Sequence, residues 1–459
     1  MTRVSLILAG VLALNAVFAI GQAAEKARAE RPPNIIMIVA DDLGYGDLGA
    51  FGGTMLRTPH LDALAADGAK LTSFYVTTPS CTPTRGALMT GRYPLRNGLT
   101  GLLWPEDTYG LAREETTLAE LLRRRGYRTA LVGKWHLGHQ PGMLPLDRGF
   151  DRWFGLPYPN DMDGNHPRSV RMKLNWPPLP LHRDHERIEQ PVDLETLTQR
   201  FTKEVVGFIR AQPVDQPFFL MYATHAPHAY LAASPAFRGR SAGGLYGDMV
   251  EEFDGSVGEL RKALREAGHA EQTLIVFTND NGAVVSVPER REMEAVLNPS
   301  NTWGSNRPFR GGKNTPYEGG VRVPAIAVWP GRIPAGRVVE TPAIVMDVFV
   351  TLAAAAGVEP AGDRVYDGQN LLPLLAGTGA RRPTPFFFGN DVIDAVRDGD
   401  WRLVLKRTPG RPAAEVGNPE LYHLSTDPDE SDNVAAAHPD VVARLLALRD
   451  AFMNETRRR

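Results

Sequence analysis

Only one cysteine occurs among the 459 residues, in Ser80-Cys81-Thr82-Pro83-Thr84-Arg85-Gly86. It has no partner for an internal disulfide, so it is either a small buried hydrophobe or a reactive group. Its neighbours suit the second reading. Ser80 can cap a helix, Pro83 fits the first turn and Gly91 can end it, which places Cys81 where free backbone N–H groups favour an anion. Arg85 follows one helical turn later on the same face.

Four further groups carry polar chemistry at the ends of apolar runs. Asn34 to Ala40 is continuously apolar after its first residue and ends in Asp41-Asp42; two adjacent carboxylates there are unfavourable unless they hold a cation or accept from donors, and a metal is the simplest explanation. Thr129 to Gly133 ends in Lys134-Trp135-His136, Phe218 to Ala223 in Thr224-His225-Ala226-Pro227-His228, and Thr273 to Thr278 in Asn279-Asp280-Asn281-Gly282. Each has an ordinary alternative: Asp280-Asn281-Gly282 is good turn chemistry, His225 and His228 can line a loop, and Lys134 and His136 can be a solvated pair. Arg310-Gly311-Gly312-Lys313 lies in a Gly-, Pro- and Asn-rich stretch from 283 to 320, read as a long loop over the same edge whose glycines let backbone approach an anion.

The helical stretches at 117–122, 194–211 and 248–267 alternate with the apolar runs. That pattern predicts α/β architecture with a parallel sheet covered on both faces. Ligands of such sheets sit beyond the carboxyl ends of the strands, which is where all four polar groups fall. Val323 to Trp329 reads as a further strand and Ala343 to Ala356 as a helix. After Gly377 the pattern changes to short segments at 385–390, 395–397, 401–405 and 420–424, which predict a small antiparallel sheet, closed by an amphipathic helix from Asp440 to Asn454. The expected division is therefore 33–376 for the main domain and 377–459 for a C-terminal subdomain.

Net charge is −2, with 43% hydrophobic and 23% charged residues, so there is no bulk electrostatic case for nucleic acid or an anionic membrane. Arg3 precedes an apolar run from Val4 to Ile20, with small residues as far as Ala24. This predicts a secretory leader over 1–24, with a membrane anchor as the rival, and Glu25 to Pro33 as a linker. Export without a disulfide framework suits a bacterial periplasmic or secreted protein.

The run Cys81-Thr82-Pro83-Thr84-Arg85, continuing to Thr90-Gly91-Arg92, resembles the signature of the type I sulfatases. In that family the Cys of C-x-P-x-R is oxidised by a separate enzyme to formylglycine (3-oxoalanine). Gly133-Lys134-Trp135-His136-Leu137-Gly138 and the stretch from Gly312-Lys313 to Glu318-Gly319-Gly320-Val321-Arg322 look like further blocks of the family. Tyr222-Ala223-Thr224-His225-Ala226-Pro227, with Tyr246-Gly247-Asp248 after it, is similar to the arylsulfatase A and N-acetylgalactosamine-6-sulfatase branch.

This resemblance implies an alkaline phosphatase-like fold: a mixed, mostly parallel sheet sandwiched by helices, with a smaller C-terminal α+β subdomain. It implies Asp41, Asp42, Asp280 and Asn281, together with the modified Cys81, as ligands of Ca²⁺, to which oxygen donors are suited. Arg85 would steady the formylglycine; Lys134, His136, His225 and Lys313 would contact the sulfate or leaving group. One hydroxyl of the aldehyde hydrate attacks sulfur, aided by a carboxylate such as Asp280, to give a covalent sulfo-enzyme intermediate. The second, deprotonated by a base such as His136, then expels sulfate. His225 is preferred over His228 as the sulfate-contacting histidine because it stands in His-x-Pro. Pro157-Tyr158-Pro159-Asn160-Asp161 aligns with a site-lining stretch, where Pro159 replaces a hydroxyl residue and Asn160 is a candidate substrate contact. His166, His182 and His185 fall in an irregular segment, either shaping the leaving-group pocket or serving as ordinary loop histidines.

The implied activity is hydrolysis of sulfate monoesters of a sulfated sugar, from a glycosaminoglycan or another sulfated polysaccharide, or of an aryl sulfate. A formylglycine-generating or anaerobic maturation enzyme would be the protein partner. The alternatives are a phosphomonoester or phosphonate hydrolase using the same aldehyde, and a non-catalytic binder of sulfated glycan if Cys81 stays unmodified.

Overall fold

A computed structural model of the chain describes residues 31–285, 303–405 and 418–457. The leader expected over 1–24, most of the linker after it and the middle of the 283–320 loop lie outside those residues. Among the described residues one sheet has eleven strands. They are β1 (Asn34–Ala40), β2 (Ala69–Tyr75), β3 (Arg128–Gly133), β4 (Arg152–Gly155), β5 (Leu181–Arg183), β6 (Glu186–Glu189), β7 (Phe218–Ala223), β8 (Thr273–Asn279), β9 (Arg322–Val328), β10 (Arg337–Val339) and β11 (Ala343–Ile344). The order is β10-β2-β9-β8-β1-β7-β3-β4-β5-β6, with β11 also on β2.

The centre of this sheet positions the polar groups. β8, β1, β7 and β3 are neighbours and all parallel, with Ala40 opposite Asn279 and Ala223 opposite both Val39 and Gly133. In-register parallel strands end together, so the residues after Ala40, Gly133, Ala223 and Asn279 leave the sheet at one level. Alternate side chains of β1 feed two cores: Ile35, Met37 and Val39 join a cluster with the helices Cys81–Thr90, Leu118–Arg124 and Met346–Ala355, while Ile36, Ile38 and Ala40 join one with Pro59–Ala66, Leu197–Arg210 and Gly244–Glu266. Burial on both faces is why the strand is apolar throughout. β9 runs antiparallel to β2 and β8, and β5 and β6 are antiparallel additions at the other end, which makes the sheet mixed.

A second, four-stranded antiparallel sheet follows: β12 (Phe386–Gly389), β13 (Ile393–Asp398), β14 (Trp401–Leu405) and β15 (Pro419–His423). The helix Pro439–Arg457 closes it, and Phe386, Val396, Leu403 and Phe452 belong to the same buried cluster as Leu88 and Phe349. The small sheet thus packs into the core beneath the Cys81 helix.

Three local expectations change. The helix expected from Asp248 begins at Gly244, and Ala343-Ile344 is the short strand β11 before a helix that starts at Met346. The segment read as irregular holds the helix Pro167–Arg171 and the β5–β6 hairpin. His166 accepts from Arg168 N at 3.1 Å as a helix cap and meets the Tyr230 ring edge-on at 4.8 Å. His182 stacks on Trp153 at 5.0 Å, and His185 is exposed at the hairpin turn.

Burial, with Arg187 adding to it, lowers the His182 imidazole to about 4, against an ordinary value of 6.5. The folded state therefore favours neutral His182, a contribution complete above about pH 6.5 and lost as pH falls toward 4, because the unfolded chain takes up the proton first. Thermal melts of wild type and His182→Phe at pH 7 and 4.5 should show the substitution reducing the acid loss of Tm. An identical acid loss in both would contradict this.

Candidate active site

The backbone at the strand ends is arranged for close approach. Gly133 has φ 116°, and a Cβ there would sit 1.8 Å from the Ala223 carbonyl oxygen; only glycine lets Lys134 N donate to that carbonyl at 2.8 Å. Asp42 and His136 hold left-handed φ of 65° and 61°, conformations costing roughly 1–3 kcal/mol that persist when their surroundings fix them. Asp280 N donates to Ala40 O at 3.3 Å and Asp41 N to Ala226 O at 3.2 Å, so the strand ends are tied to one another.

Opposite this edge the helix Cys81–Thr90 brings in its N-terminus, every residue buried. Cys81 Sγ lies 3.9 Å from Asp41 Oδ1. Lys134 Nζ donates to Asp41 Oδ2 at 2.7 Å. Arg85 Nε donates to Asp280 Oδ2 at 2.9 Å, its Nη2 stands 2.8 Å from that oxygen and 3.5 Å from Asp41 Oδ2, and its Nη1 donates to Lys134 O at 3.1 Å. On the other side Lys313 Nζ reaches Asp42 Oδ2 at 2.8 Å and His228 Nε2 at 2.9 Å. Asn281 Nδ2 donates to Asp42 Oδ1 at 2.6 Å, and Asp42 N to Asp280 Oδ1 at 3.4 Å.

Three carboxylates and three cations are thereby packed together away from water. Burial alone would raise Asp41 and Asp42, but Lys134, His228 and Arg85 together around the first, and Lys313 and His228 together around the second, outweigh it, and both carboxyls are held below the usual range. Burial likewise works against the Lys313 ammonium, yet the surrounding groups, Asp42 foremost with Asp41 and Asp161 adding to it, hold it charged, well above its ordinary value. Cys81 shows the reverse: burial, with Asp280 and Asp41 adding to it, pushes the thiol up to about 12. An unmodified Cys81 is a neutral thiol here at any physiological pH, unsuited to thiolate chemistry.

The histidines divide. His136 Nε2 donates to the Leu103 carbonyl at 2.9 Å, so its buried Nδ1, with no hydrogen-bond partner, carries the lone pair. Burial and the Lys134 charge keep that ring neutral, so Nδ1 presents an unprotonated lone pair to the site. His228, with Nδ1 on Ala229 O, turns Nε2 to Lys313 and lies 3.5 Å from Asp42 Oδ2. His225 is fully buried with neither ring nitrogen bonded, its ring 5.6 Å from Phe201. The direct contacts among the charged groups are therefore made by His228. Asn160 spends its amide on His228 O at 3.1 Å and Tyr230 O at 2.8 Å, bracing the histidine loop. Arg310 turns away, donating to Tyr422 Oη at 3.0 Å and Glu430 O at 2.9 Å; of its four-residue run, Lys313 alone sends a side chain to the charged cluster.

These groups are placed to hold a metal ion. Asp41, Asp42, Cys81 and His228 each offer a ligand atom within 4.8 Å of the others, and Asn281 Oδ1 beside them is buried without a partner, an oxygen whose desolvation is otherwise uncompensated.

A sulfatase family model matches residues 33–358. The chain belongs to the sulfatase family. It is 40% identical over 446 residues to the N-acetylgalactosamine-6-sulfatase of Canis lupus familiaris, covering 88% of this chain and 82% of that one. It is 39% identical to arylsulfatase A of Homo sapiens over 455 residues, 91% and 87% of the two chains. Among solved structures, the PsFucS1 sulfatase from Pseudoalteromonas sp. superposes with TM-score 0.80 at 30% identity, covering 94% of this chain and 92% of that one. The protein is thus a sulfuric ester hydrolase of the alkaline phosphatase-like fold.

Sequence reasoning missed the groups that hold this sulfatase's site in place. Leu103, which carries His136, has no signal of its own because it acts through its carbonyl. The buried bridge from Arg402 to Glu318 at 3.0 Å and to Glu430 at 3.0 Å, with Glu318 N on Glu430 Oε2 at 2.7 Å, ties the small sheet to the segment carrying Lys313. Its members are far apart in sequence and obey no spacing rule.

Proposed function

We propose that the chain removes sulfate from a sulfated saccharide, using formylglycine made from Cys81 by a separate maturation enzyme and a Ca²⁺ held by Asp41, Asp42, Asp280 and Asn281. When present, the hydrated aldehyde supplies the nucleophilic hydroxyl, and the cation supplies positive charge beside the non-bridging sulfate oxygens. The observation that carries this is the position of Sγ, 3.9 Å from Asp41 Oδ1, with Lys134 2.7 Å from the other oxygen of the same carboxylate.

The chain's own residues do the rest. Lys134 and Lys313 are anchored on Asp41 and Asp42, and an ammonium carries three N–H donors, leaving donors free for the sulfate. Arg85, locked on Asp280 and on the Lys134 carbonyl, fixes the helix that delivers residue 81. The free Nδ1 of His136 accepts a proton during turnover, while Lys313, whose ammonium also donates to His228 Nε2, attends the leaving-group oxygen. A sugar ester is favoured by the similarity to N-acetylgalactosamine-6-sulfatase. Export as a bacterial periplasmic or secreted protein belongs to the same reading, on the single charge and apolar run at the start of the chain.

Initial rates on para-nitrophenyl sulfate and para-nitrophenyl phosphate test the reaction class. The sulfate ester should be the faster substrate, and preferential phosphate cleavage would overturn the assignment. Chelation should lower sulfate ester turnover on the order of a hundredfold or more, the usual scale for a lost electrostatic stabiliser. Calcium should restore it better than magnesium, whose octahedral demand fits carboxylate clusters less well. Full activity in metal-free protein would exclude the cation.

A further inference from the structure

Beside the site lies an aromatic surface that catalysis on a small ester does not require. The rings of Trp104 and Trp176 stack at 5.6 Å with an interplanar angle of 20°, and both remain partly exposed. Trp104 follows Leu103 directly, the residue whose carbonyl receives His136 and whose N–H donates to Thr82 Oγ1 at 3.3 Å. The pair is therefore continuous with the catalytic centre through one residue.

Both indoles are held rigidly. The strand of loop carrying Trp104 is fastened from the Lys134–Gln140 segment three times: His136 on Leu103 O at 2.9 Å, His139 on Pro105 O at 3.1 Å and Gln140 on Asp107 O at 3.1 Å. The Trp176 loop is pinned by Gly164 N on Pro177 O at 2.8 Å and by Leu179 N on Asp163 Oδ1 at 3.1 Å. A Cβ on Gly164 would sit 1.9 Å from the Trp176 carbonyl oxygen, so that approach needs glycine. Trp176 Nε1 donates to Glu106, which joins the two loops through a polar contact as well as the stacked rings. Aromatic groups left partly in water yet fixed on both sides have already lost the freedom that ligand binding would otherwise cost.

We propose that the Trp104–Trp176 pair is a stacking platform for a pyranose ring of the saccharide beyond the ester bond, so that the favoured substrate is an oligosaccharide rather than a sulfated monosaccharide. This rests on the sulfatase reading above and extends it to the leaving group. One face of a pyranose displays only C–H bonds, and a flat indole is its natural apolar partner. The Glu106 carboxylate at the rim suits the hydroxyl groups on that ring's edge and opposes a second sulfate directly over the platform.

The probes are a galactosaminoglycan tetrasaccharide carrying a terminal sulfated N-acetylgalactosamine, the matching sulfated monosaccharide and para-nitrophenyl sulfate. Wild type should show kcat/KM about tenfold higher on the tetrasaccharide than on the monosaccharide, carried by KM. Trp176→Ala and Trp104→Ala should each abolish that preference, whereas Trp176→Phe, which keeps a flat ring, should recover most of it; unchanged melting temperatures confirm folding. A wild type with no chain-length preference, or alanine variants that keep it, overturns the platform. Failure of the sulfatase reading looks different, since wild type would then release sulfate from none of the three.

Discussion

Cys81→Ala should abolish turnover of any sulfate ester, by roughly four orders of magnitude or more, the scale seen when a covalent nucleophile is removed. The size follows from the surroundings. Asp41, Asp42, Asp280, Lys134, Lys313 and Arg85 all converge around Sγ, and with no reacting group at residue 81 their charges act on nothing. Cys81→Ser sharpens the test. A serine supplies one hydroxyl at the same place, so it can take a sulfuryl group but has no second hydroxyl with which to expel it. At most one equivalent of para-nitrophenol per enzyme is expected, with no steady state. Sustained turnover by Cys81→Ser would mean that an ordinary hydroxyl suffices.

The second large effect is at Arg85. This guanidinium is completely buried and serves Asp280, Asp41 and the Lys134 carbonyl at once. Arg85→Ala leaves two buried carboxylates short of a counter-ion and a carbonyl without a donor. Breaking such a pair costs about 3–5 kcal/mol, and displacing Lys134 and residue 81 should lower kcat by a further hundredfold or more. Arg85→Lys keeps the charge but not the planar fork that reaches both sides, so it should recover stability more than turnover. Urea melts and steady-state kinetics separate the two. Near-normal kcat in Arg85→Ala would show that the Asp280 contact is dispensable.

The parts legible in the sequence were those dictated by burial and by strand ends. Asn34 to Ala40, Phe218 to Ala223 and Thr273 to Thr278 read as strands because both faces of β1, β7 and β8 are covered. The polar residues after them could be placed at one edge because parallel strands in register end together. β5 and β6 were not legible: Leu181 to Glu189 is short and charged, and edge strands facing water lack the apolar run that marks a central one. The histidine loop also resisted. His225 and His228 are three residues apart, and which one meets Lys313 depends on how the chain turns after β7, fixed by Asn160 and by backbone bonds that no local pattern announces. The Asn160 amide N–H groups brace that loop, and the Leu103 and Arg402–Glu430 supports came only from packing.

The central claim is that the group doing the chemistry is made from Cys81 rather than being its thiol. Peptide mass spectrometry across Ser80 to Arg85, on protein that hydrolyses para-nitrophenyl sulfate, addresses it directly. The account predicts that the residue at position 81 carries an aldehyde trapped by hydrazide reagents, in a fraction that tracks specific activity between preparations. Fully active protein whose residue 81 is wholly unmodified cysteine would contradict it.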